Sequence, residues 1–201
     1  LILYSAYTVI GFVAYWVAGM SPFDAVNHVF AAVSTGGFST HAESIGYWDS
    51  VTVEAITLPL MMMGNLSFVT AWYLWRRRFR QVSRDGEVRV MAFVVPVAAA
   101  ILFLFTSIHV YPMLGKAIRV AVFETTSALT TTGFSTVGYS QWNSVGVFLL
   151  VVLMLIGGGT CSTAGGIKQF RVYVLWKALR MELGRALEPS NVVVEQSIWE
   201  G

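Results

Sequence analysis

Two seven-residue segments of the chain have nearly the same sequence, and their residue types suit cation binding. Ser34 to Thr40 reads STGGFST, and Thr130 to Thr136, 96 residues further on, reads TTTGFST. These segments offer few side chains that could catalyse a reaction, but their glycines let the backbone aim successive carbonyl oxygens at one point. Carbonyls arranged in this way replace the water shell of a cation. We therefore predict that both segments bind cations through their backbone.

The predicted cation ligands are the backbone carbonyls at the centre of each segment: Thr35, Gly36, Gly37, Thr131, Thr132 and Gly133. A short helix must position each set. The run from Ser21 to Asp24 has an N-cap serine, a proline at the first helical position and an acid at the third, which predicts a helix to about Val33. At ~18 Å this helix is too short to span a bilayer, so we predict that it is re-entrant. A matching helix is predicted from about Lys116 to Leu129.

Composition indicates an all-α membrane protein. The 201 residues are 56% hydrophobic and 12% charged, against about 25% charged in an average soluble domain. About 20 apolar residues cross a bilayer, which predicts four crossings: Leu1 to Met20, Val51 to Trp75, Met91 to Leu114, and Val145 to about Leu183. Because Leu1 already lies inside an apolar stretch, we expect the chain to be a fragment.

The basic residues are clustered next to the predicted crossings. Six of the thirteen lie between Arg76 and Arg89 and five between Lys168 and Arg185. Such clusters mark the cytoplasmic side, which places both repeated segments in the outer half, and no nucleic-acid partner is expected. Outside, five acids outnumber Lys116 and Arg119 and are expected to concentrate cations: Asp24, Glu43, Asp49, Glu54 and Glu124.

A glycine-rich segment interrupts the last apolar stretch. It reads GGGTCSTAGGIK, and its candidate gating residues are Gly157, Gly158, Gly159, Thr160, Cys161, Ser162, Thr163, Ala164, Gly165, Gly166 and Lys168. Each glycine weakens a helix by about 1 kcal/mol, so the crossing is predicted to break here. A break beneath a pore is a candidate gate. Met61 to Ser67, the equivalent place after the first repeated segment, has one glycine, so only the later crossing is predicted to break.

The glycine-rich segment has alternative interpretations. A nucleotide-binding P-loop is excluded because Ile167 separates Gly166 from Lys168. Tight helix packing by small residues, without motion, stays open as an alternative to a gate. Lys168 either adds positive charge that holds a gate closed or sets cation flow, or it extends to the inner membrane surface. Cys161 lacks a nearby base and is expected to be a small buried residue rather than a nucleophile.

Polar residues on the two short helices also have two interpretations. Asn27, His28 and Glu124 either tune the field at the repeated segments or hydrogen-bond to the backbone there, and the second interpretation is favoured. His28, His41 and His109 are too scattered in sequence to predict a metal site.

These motifs resemble the Trk/Ktr/HKT superfamily of potassium transporters, and within it the bacterial Trk-type membrane subunit. The resemblance rests on STGGFST followed by HAESIGY, on TTTGFST with Tyr139 and Trp142, and on the glycine-rich segment. It implies repeated helix, pore helix, filter turn, helix units, as in tetrameric cation channels, with the last helix broken by an intramembrane loop. The implied organisation is a second repeat (1–80), a basic cytoplasmic loop (81–90), a third repeat (91–186, with gating loop 157–168) and the start of a further repeat (187–201).

The resemblance also implies a function. It predicts K⁺ uptake by a multi-pass protein of the bacterial inner (plasma) membrane, with K⁺ as substrate, no cofactor in this chain, a homodimeric assembly in the lipid bilayer and a cytosolic nucleotide-binding regulatory subunit. Filter turns from two further repeats are implied, so this stretch alone is not expected to conduct. Na⁺ transport and coupled K⁺/Na⁺ or K⁺/H⁺ symport stay open, as does a non-conducting scaffold. The sequence shows no cluster of catalytic residue types, so we do not expect an enzyme.

Overall fold

A computed structural model describes residues 2–187, and the regular secondary structure of this part is helical, without strands. Residues 188–201, which hold nearly all of the predicted start of a further repeat, lie outside the described part. The helices are α1 (Ile2–Val17), α2 (Pro22–Val33), α3 (Val51–Asn65), α4 (Phe68–Trp75), α5 (Phe79–Val82), α6 (Gly86–Val110), α7 (Leu114–Leu129), α8 (Ser144–Ile156) and α9 (Gln169–Leu187). A 3₁₀ turn (Ser44–Trp48) precedes α3, and a π-helical turn (Phe103–Ser107) lies within α6.

The two short helices form where the sequence predicts them. The Ser21 hydroxyl accepts the N–H of Asp24 at 3.1 Å, which caps α2, and donates to the Asp24 carboxylate at 2.7 Å, which holds the hydroxyl in place. Helix α2 begins at Pro22 and ends at Val33, and α7 begins two residues before the predicted Lys116 and ends at Leu129. Each helix leads directly into one of the repeated segments, which we call the first turn (34–40) and the second turn (130–136).

One helix of the described residues, Gly86–Val110, is both long and apolar enough to cross a membrane. Helices α1 and α8 are shorter apolar helices.

The predicted crossing from Val51 to Trp75 is not one continuous helix, so the prediction that only the later crossing breaks was wrong. Helix α3 ends at Asn65, Leu66 is extended (φ −71°, ψ 145°), and Ser67 caps the start of α4. The break needs no run of glycines because the carbonyls of Gly64 and Asn65 accept hydrogen bonds from the glycine-rich segment. Distant partners therefore replace the next turn of helix.

The two halves of the chain are joined near the turns. Arg119, on α7, donates to Glu54 of α3 at 3.0 Å, and Lys116 lies 3.2 Å from Asp49. Phe134 of the second turn is fully buried and stacks on His28 of α2, with ring centroids 5.8 Å apart. The basic residues of α7 thus neutralise some of the acids that were predicted to attract cations, and the turns are fixed relative to each other.

Candidate functional site

The first and second turns share a backbone conformation and lie against each other. Thr35 and Thr131 occupy equivalent positions in the two turns. Although neither is glycine, both have a backbone conformation in the left-handed region, with φ of 51° and 53°. Gly37 and Gly133 follow at φ 68° and 83°. A methyl group added at Gly37 would overlap the carbonyl oxygen of Thr132 and lie 2.9 Å from its carbonyl carbon. The six predicted ligand residues therefore belong to two turns in backbone contact.

The turns differ in what surrounds the glycine that precedes their phenylalanine. Gly37 is confined by the second turn, whereas a methyl group added at Gly133 would meet no atom within 4 Å. The N–H of Gly46, beyond the first turn, donates to the carbonyl of Ser135 at 3.1 Å and adds a second backbone link between the halves. Gly133 thus borders open space while Gly37 is part of the contact between turns.

Glu124 holds the end of the second turn. One carboxylate oxygen accepts the N–H of Thr136 at 2.8 Å and its hydroxyl at 2.9 Å, and the other accepts the hydroxyl of Tyr139 at 2.6 Å. The side chain is 1% exposed. The favoured interpretation of Glu124, hydrogen bonding to the backbone of the turn, is confirmed.

His28 occupies the position of Glu124 in the first half of the chain, but its contacts differ. Its Nε2 lies 2.9 Å from the hydroxyl of Ser39, so His28 reaches a side chain of the first turn rather than its backbone. Asn27 donates to the carbonyl of Phe23, within its own helix, at 2.7 Å. Only His28 of this pair therefore touches the turn.

The C-terminal end of the first turn is hydrogen-bonded to the start of α2. Asp24 accepts the hydroxyl of Thr40 at 2.6 Å and that of Ser21 at 2.7 Å, and these hydrogen bonds lower the pKa of Asp24. His41 lies 3.6 Å from the same carboxylate.

Two of the three histidines share an aromatic neighbour, an arrangement that the sequence interpretation, which concerned only a metal site, did not address. His28 and His41 each place their ring centroid 5.0 Å from that of Trp48. They share this neighbour because the chain folds back after the first turn. The described residues contain no group of three or more His, Cys, Asp or Glu side chains that could hold a metal ion.

The glycine-rich segment (157–168) is a loop between α8 and α9, and hydrogen bonds join the end of α8 directly to the residues that precede α9. The carbonyls of Leu155 and Ile156 accept the N–H groups of Ile167 (2.9 Å) and Lys168 (3.1 Å). In a continuous helix those carbonyls would accept Gly159 and Thr160 instead.

The neck of this loop requires glycine. Gly157 and Gly166 have φ of 70° and 82°, and a methyl group added at Gly166 would lie 2.5 Å from the Cα of Gly157. No residue with a side chain fits this approach without a backbone shift. Gly157 and Gly166 therefore close the neck of the loop, whereas Gly158 and Gly159 pack against Asn65.

The glycine-rich segment contacts both turns at their first predicted ligand residue. The hydroxyl of Thr163 lies 3.2 Å from that of Thr35 and donates to the carbonyls of Val33 (3.1 Å) and Gly64 (3.0 Å). The N–H of Gly165 donates to the hydroxyl of Thr131 at 2.6 Å.

A residue that sequence reasoning missed also contacts this segment. Glu87, in the first turn of α6, accepts the N–H and the hydroxyl of Thr160. The signal in the sequence was an acid in the first turn of a largely apolar helix. Lys168 donates to the carbonyl of Ala164, inside its own loop. Cys161 is exposed, so its predicted burial was wrong; it adopts φ 53° where the loop turns outwards.

The described helices define the chain as an all-helical protein in which one helix is long and apolar enough to cross a membrane. A family model described as "TrkH: Cation transport protein" matches residues 1–200, and the chain belongs to this family. The Trk system potassium uptake protein TrkH of Halomonas elongata is 38% identical over 197 residues, which are 95% of this chain and 40% of the relative. TrkH of Escherichia coli (strain K12) is 36% identical over 193 residues, with the same coverage of both chains. These names describe transport rather than catalysis.

A solved structure has the same fold. The crystal structure of the potassium transporter TrkH from Vibrio parahaemolyticus superposes with a TM-score of 0.90 at 32% identity, over 97% of this chain and 42% of that one. The chain thus spans about 40% of the length of the relatives it matches.

Proposed function

We propose that this chain forms part of the ion pathway of a potassium uptake protein of the bacterial inner membrane. The first and second turns contribute backbone carbonyls of Thr35, Gly36, Gly37, Thr131, Thr132 and Gly133 to a selectivity filter. The observation that carries the proposal is the contact of one glycine-rich segment with both turns, through Thr163 and Gly165. Relatives over almost the whole chain that are named potassium uptake proteins make K⁺ the favoured ion.

The proposed organisation has two pore units, 1–80 and 91–186, joined by the basic loop 81–90 on the cytoplasmic side. Each unit brings a turn to the pathway on a re-entrant helix, α2 or α7. The carbonyl end of each helix faces its turn, and the negative end of the helix dipole favours a cation there. A homodimer and a cytosolic nucleotide-binding subunit belong to the proposal through the family resemblance.

The glycine-rich segment is the proposed gate. Its hydrogen bonds to the turns come from one hydroxyl and one N–H, and such bonds are worth about 0.5–1.5 kcal/mol each, so a shift of the segment is energetically accessible. The narrow neck at Gly157 and Gly166 gives the loop a fixed base. Lys168 takes part through the loop backbone, because its ammonium group donates to Ala164.

Proton-coupled transport is less well supported. Glu124 is the acid at membrane depth that could relay protons, but it is buried and accepts three hydrogen bonds. Its geometry suits a fixed acceptor that holds the second turn. Na⁺ transport and K⁺/Na⁺ coupling are distinguished from K⁺ uptake by the experiment below.

The test is rescue of a K⁺-uptake-deficient bacterium at limiting K⁺ by the full-length protein. Gly133→Ser is expected to abolish growth or admit Na⁺, because a side chain strains the backbone at φ 83° and enters the open space beside the turn. Gly138→Ser is the matched control, since Gly138 lies just beyond the turn with no atom within 4 Å of an added methyl group. Unchanged uptake and selectivity in Gly133→Ser would refute the filter assignment.

A further inference from the structure

The strongest unexplained feature is the buried carboxylate of Glu87 beneath the glycine-rich segment. One of its oxygens accepts the Thr160 N–H at 2.7 Å and the Thr160 hydroxyl at 2.5 Å. A methyl group added at Gly159 would lie 2.8 Å from the other oxygen, so the carboxylate packs directly on the backbone there. Glu87 itself is 9% exposed.

These bonds replace the helix bonds that the loop gives up. In a continuous helix the N–H of Thr160 would serve the carbonyl of Ile156, which instead accepts Lys168. The N–H groups of Gly159 and Thr160 are satisfied by the carbonyl of Asn65 and the carboxylate of Glu87. The looped-out state therefore depends on acceptors supplied by α3 and α6.

Glu87 differs from the other attachments of the segment by its charge. Thr163 and Gly165 bond to carbonyls and hydroxyls, whereas hydrogen bonds to a carboxylate are roughly twice as strong as those between neutral groups. Among the described residues, the ion pairs do not include Glu87. In the same part of the chain, both side-chain hydrogen bonds of Glu87 come from Thr160 of the segment, and both go to the same carboxylate oxygen.

The position of Glu87 also connects the segment to the basic loop. Its N–H donates to Asp85 at 2.9 Å, and Asp85, in the middle of residues 81–90, caps the start of α6, so that the second half of this range, including Glu87, is helical. Asp85 also accepts the hydroxyl of Thr70 on α4. A displacement of the basic loop would therefore reach Thr160 through two neighbouring residues of α6.

We propose that Glu87 is a positioning residue that holds the glycine-rich segment against the turns and transmits movements of the basic loop to it. The role in gating rests on the proposed function, whereas the holding role does not. Loss of the carboxylate is expected to release the segment locally and to leave the rest of the fold in place.

The test compares hydrogen exchange of the full-length protein in lipid nanodiscs. Glu87→Ala is expected to speed amide exchange in the peptide covering 157–168 by about tenfold or more, the effect of losing a hydrogen bond to a charged group. Thr160→Val removes only the hydroxyl and is expected to have a smaller effect in the same peptide. A peptide from α7 should be unchanged, which separates local release from general destabilisation.

Matched variants and ion flux complete the design. Glu87→Gln keeps the shape and one acceptor oxygen and is expected to restore part of the protection. Glu43→Ala removes an exposed acid elsewhere and is the control for hydrogen exchange only, in which the peptide covering 157–168 should exchange as in wild type. In proteoliposomes, Glu87→Ala is expected to raise basal Rb⁺ flux.

Each outcome is decisive. Unchanged exchange at 157–168 in both Glu87→Ala and Thr160→Val would overturn the holding role, and Thr160→Val alone, which leaves α6 intact, decides it if Glu87→Ala does not express. Faster exchange with unchanged flux would overturn the gating role. Absence of Rb⁺ flux in wild type would count against the proposed function and leave the exchange result valid.

Discussion

The contact between the two turns makes Gly37 the most constrained residue of the proposed filter. Gly37→Ala places a methyl group at φ 68°, which costs about 1–2 kcal/mol for an L-residue. The methyl group also overlaps the carbonyl oxygen of Thr132, and the carbonyl carbon of Gly133 is 3.1 Å away. These are backbone atoms that cannot rotate aside, so overpacking adds about 1–3 kcal/mol. The expected total is about 2–5 kcal/mol.

Gly133→Ala is the matched comparison, because its φ of 83° gives the same kind of backbone strain without a neighbour within 4 Å. The expected cost is about 1–2 kcal/mol. The assay is thermal unfolding of the purified full-length protein, in which size-exclusion chromatography measures the protein that stays soluble after heating. K⁺ and Na⁺ flux is measured on unheated protein from the same preparations. Gly37→Ala should have the clearly lower midpoint. Equal midpoints for the two variants, or a wild-type midpoint for Gly37→Ala, would refute the contact between turns.

Three further predictions concern the supports of the turns. Glu124→Ala leaves the Thr136 N–H without its acceptor, so it is expected to cost about 1–3 kcal/mol and to reduce K⁺ over Na⁺ selectivity in flux assays. Arg119→Met leaves the Glu54 carboxylate without its ion-pair partner; it should lower the unfolding midpoint more than Lys116→Met, whose partner is exposed, and the opposite order would contradict this. The lowered pKa of Asp24 means that its charged form stabilises the fold above its ordinary pKa of 3.8, and that this contribution is lost as the pH falls through the lowered value. Between pH 3.8 and the lowered pKa, the loss of stability with falling pH should therefore be shallower in Asp24→Asn than in wild type.

The bounds of the short helices could be predicted because their signals are local. Ser21 and Pro22 start α2, and the glycines of the first turn end it. The break after Asn65 could not be predicted, since its carbonyl is satisfied by Gly159, which is far away in sequence. The same limit applies to Glu87, whose partner lies 73 residues further along the chain.

The repeated segments show this limit most directly. Phe38 and Phe134 occupy the same place in the two motifs, yet Phe38 is 83% exposed and Phe134 is fully buried. The second turn has the preceding α2 to pack against, and His28 covers the ring of Phe134. A motif therefore predicts the backbone of a turn, while burial of its side chains depends on the neighbouring unit.

The glycine-rich segment can change in length without disturbing the helix that follows it, because hydrogen bonds join the two ends of the loop directly. One residue inserted into a continuous helix rotates everything that follows by about 100°. Here α9 takes its phase from Leu155 and Ile156, which bond directly to Ile167 and Lys168. Residues could therefore be added near Cys161 without turning α9 about its axis, and variation in length can accumulate in the loop while α9 keeps its orientation.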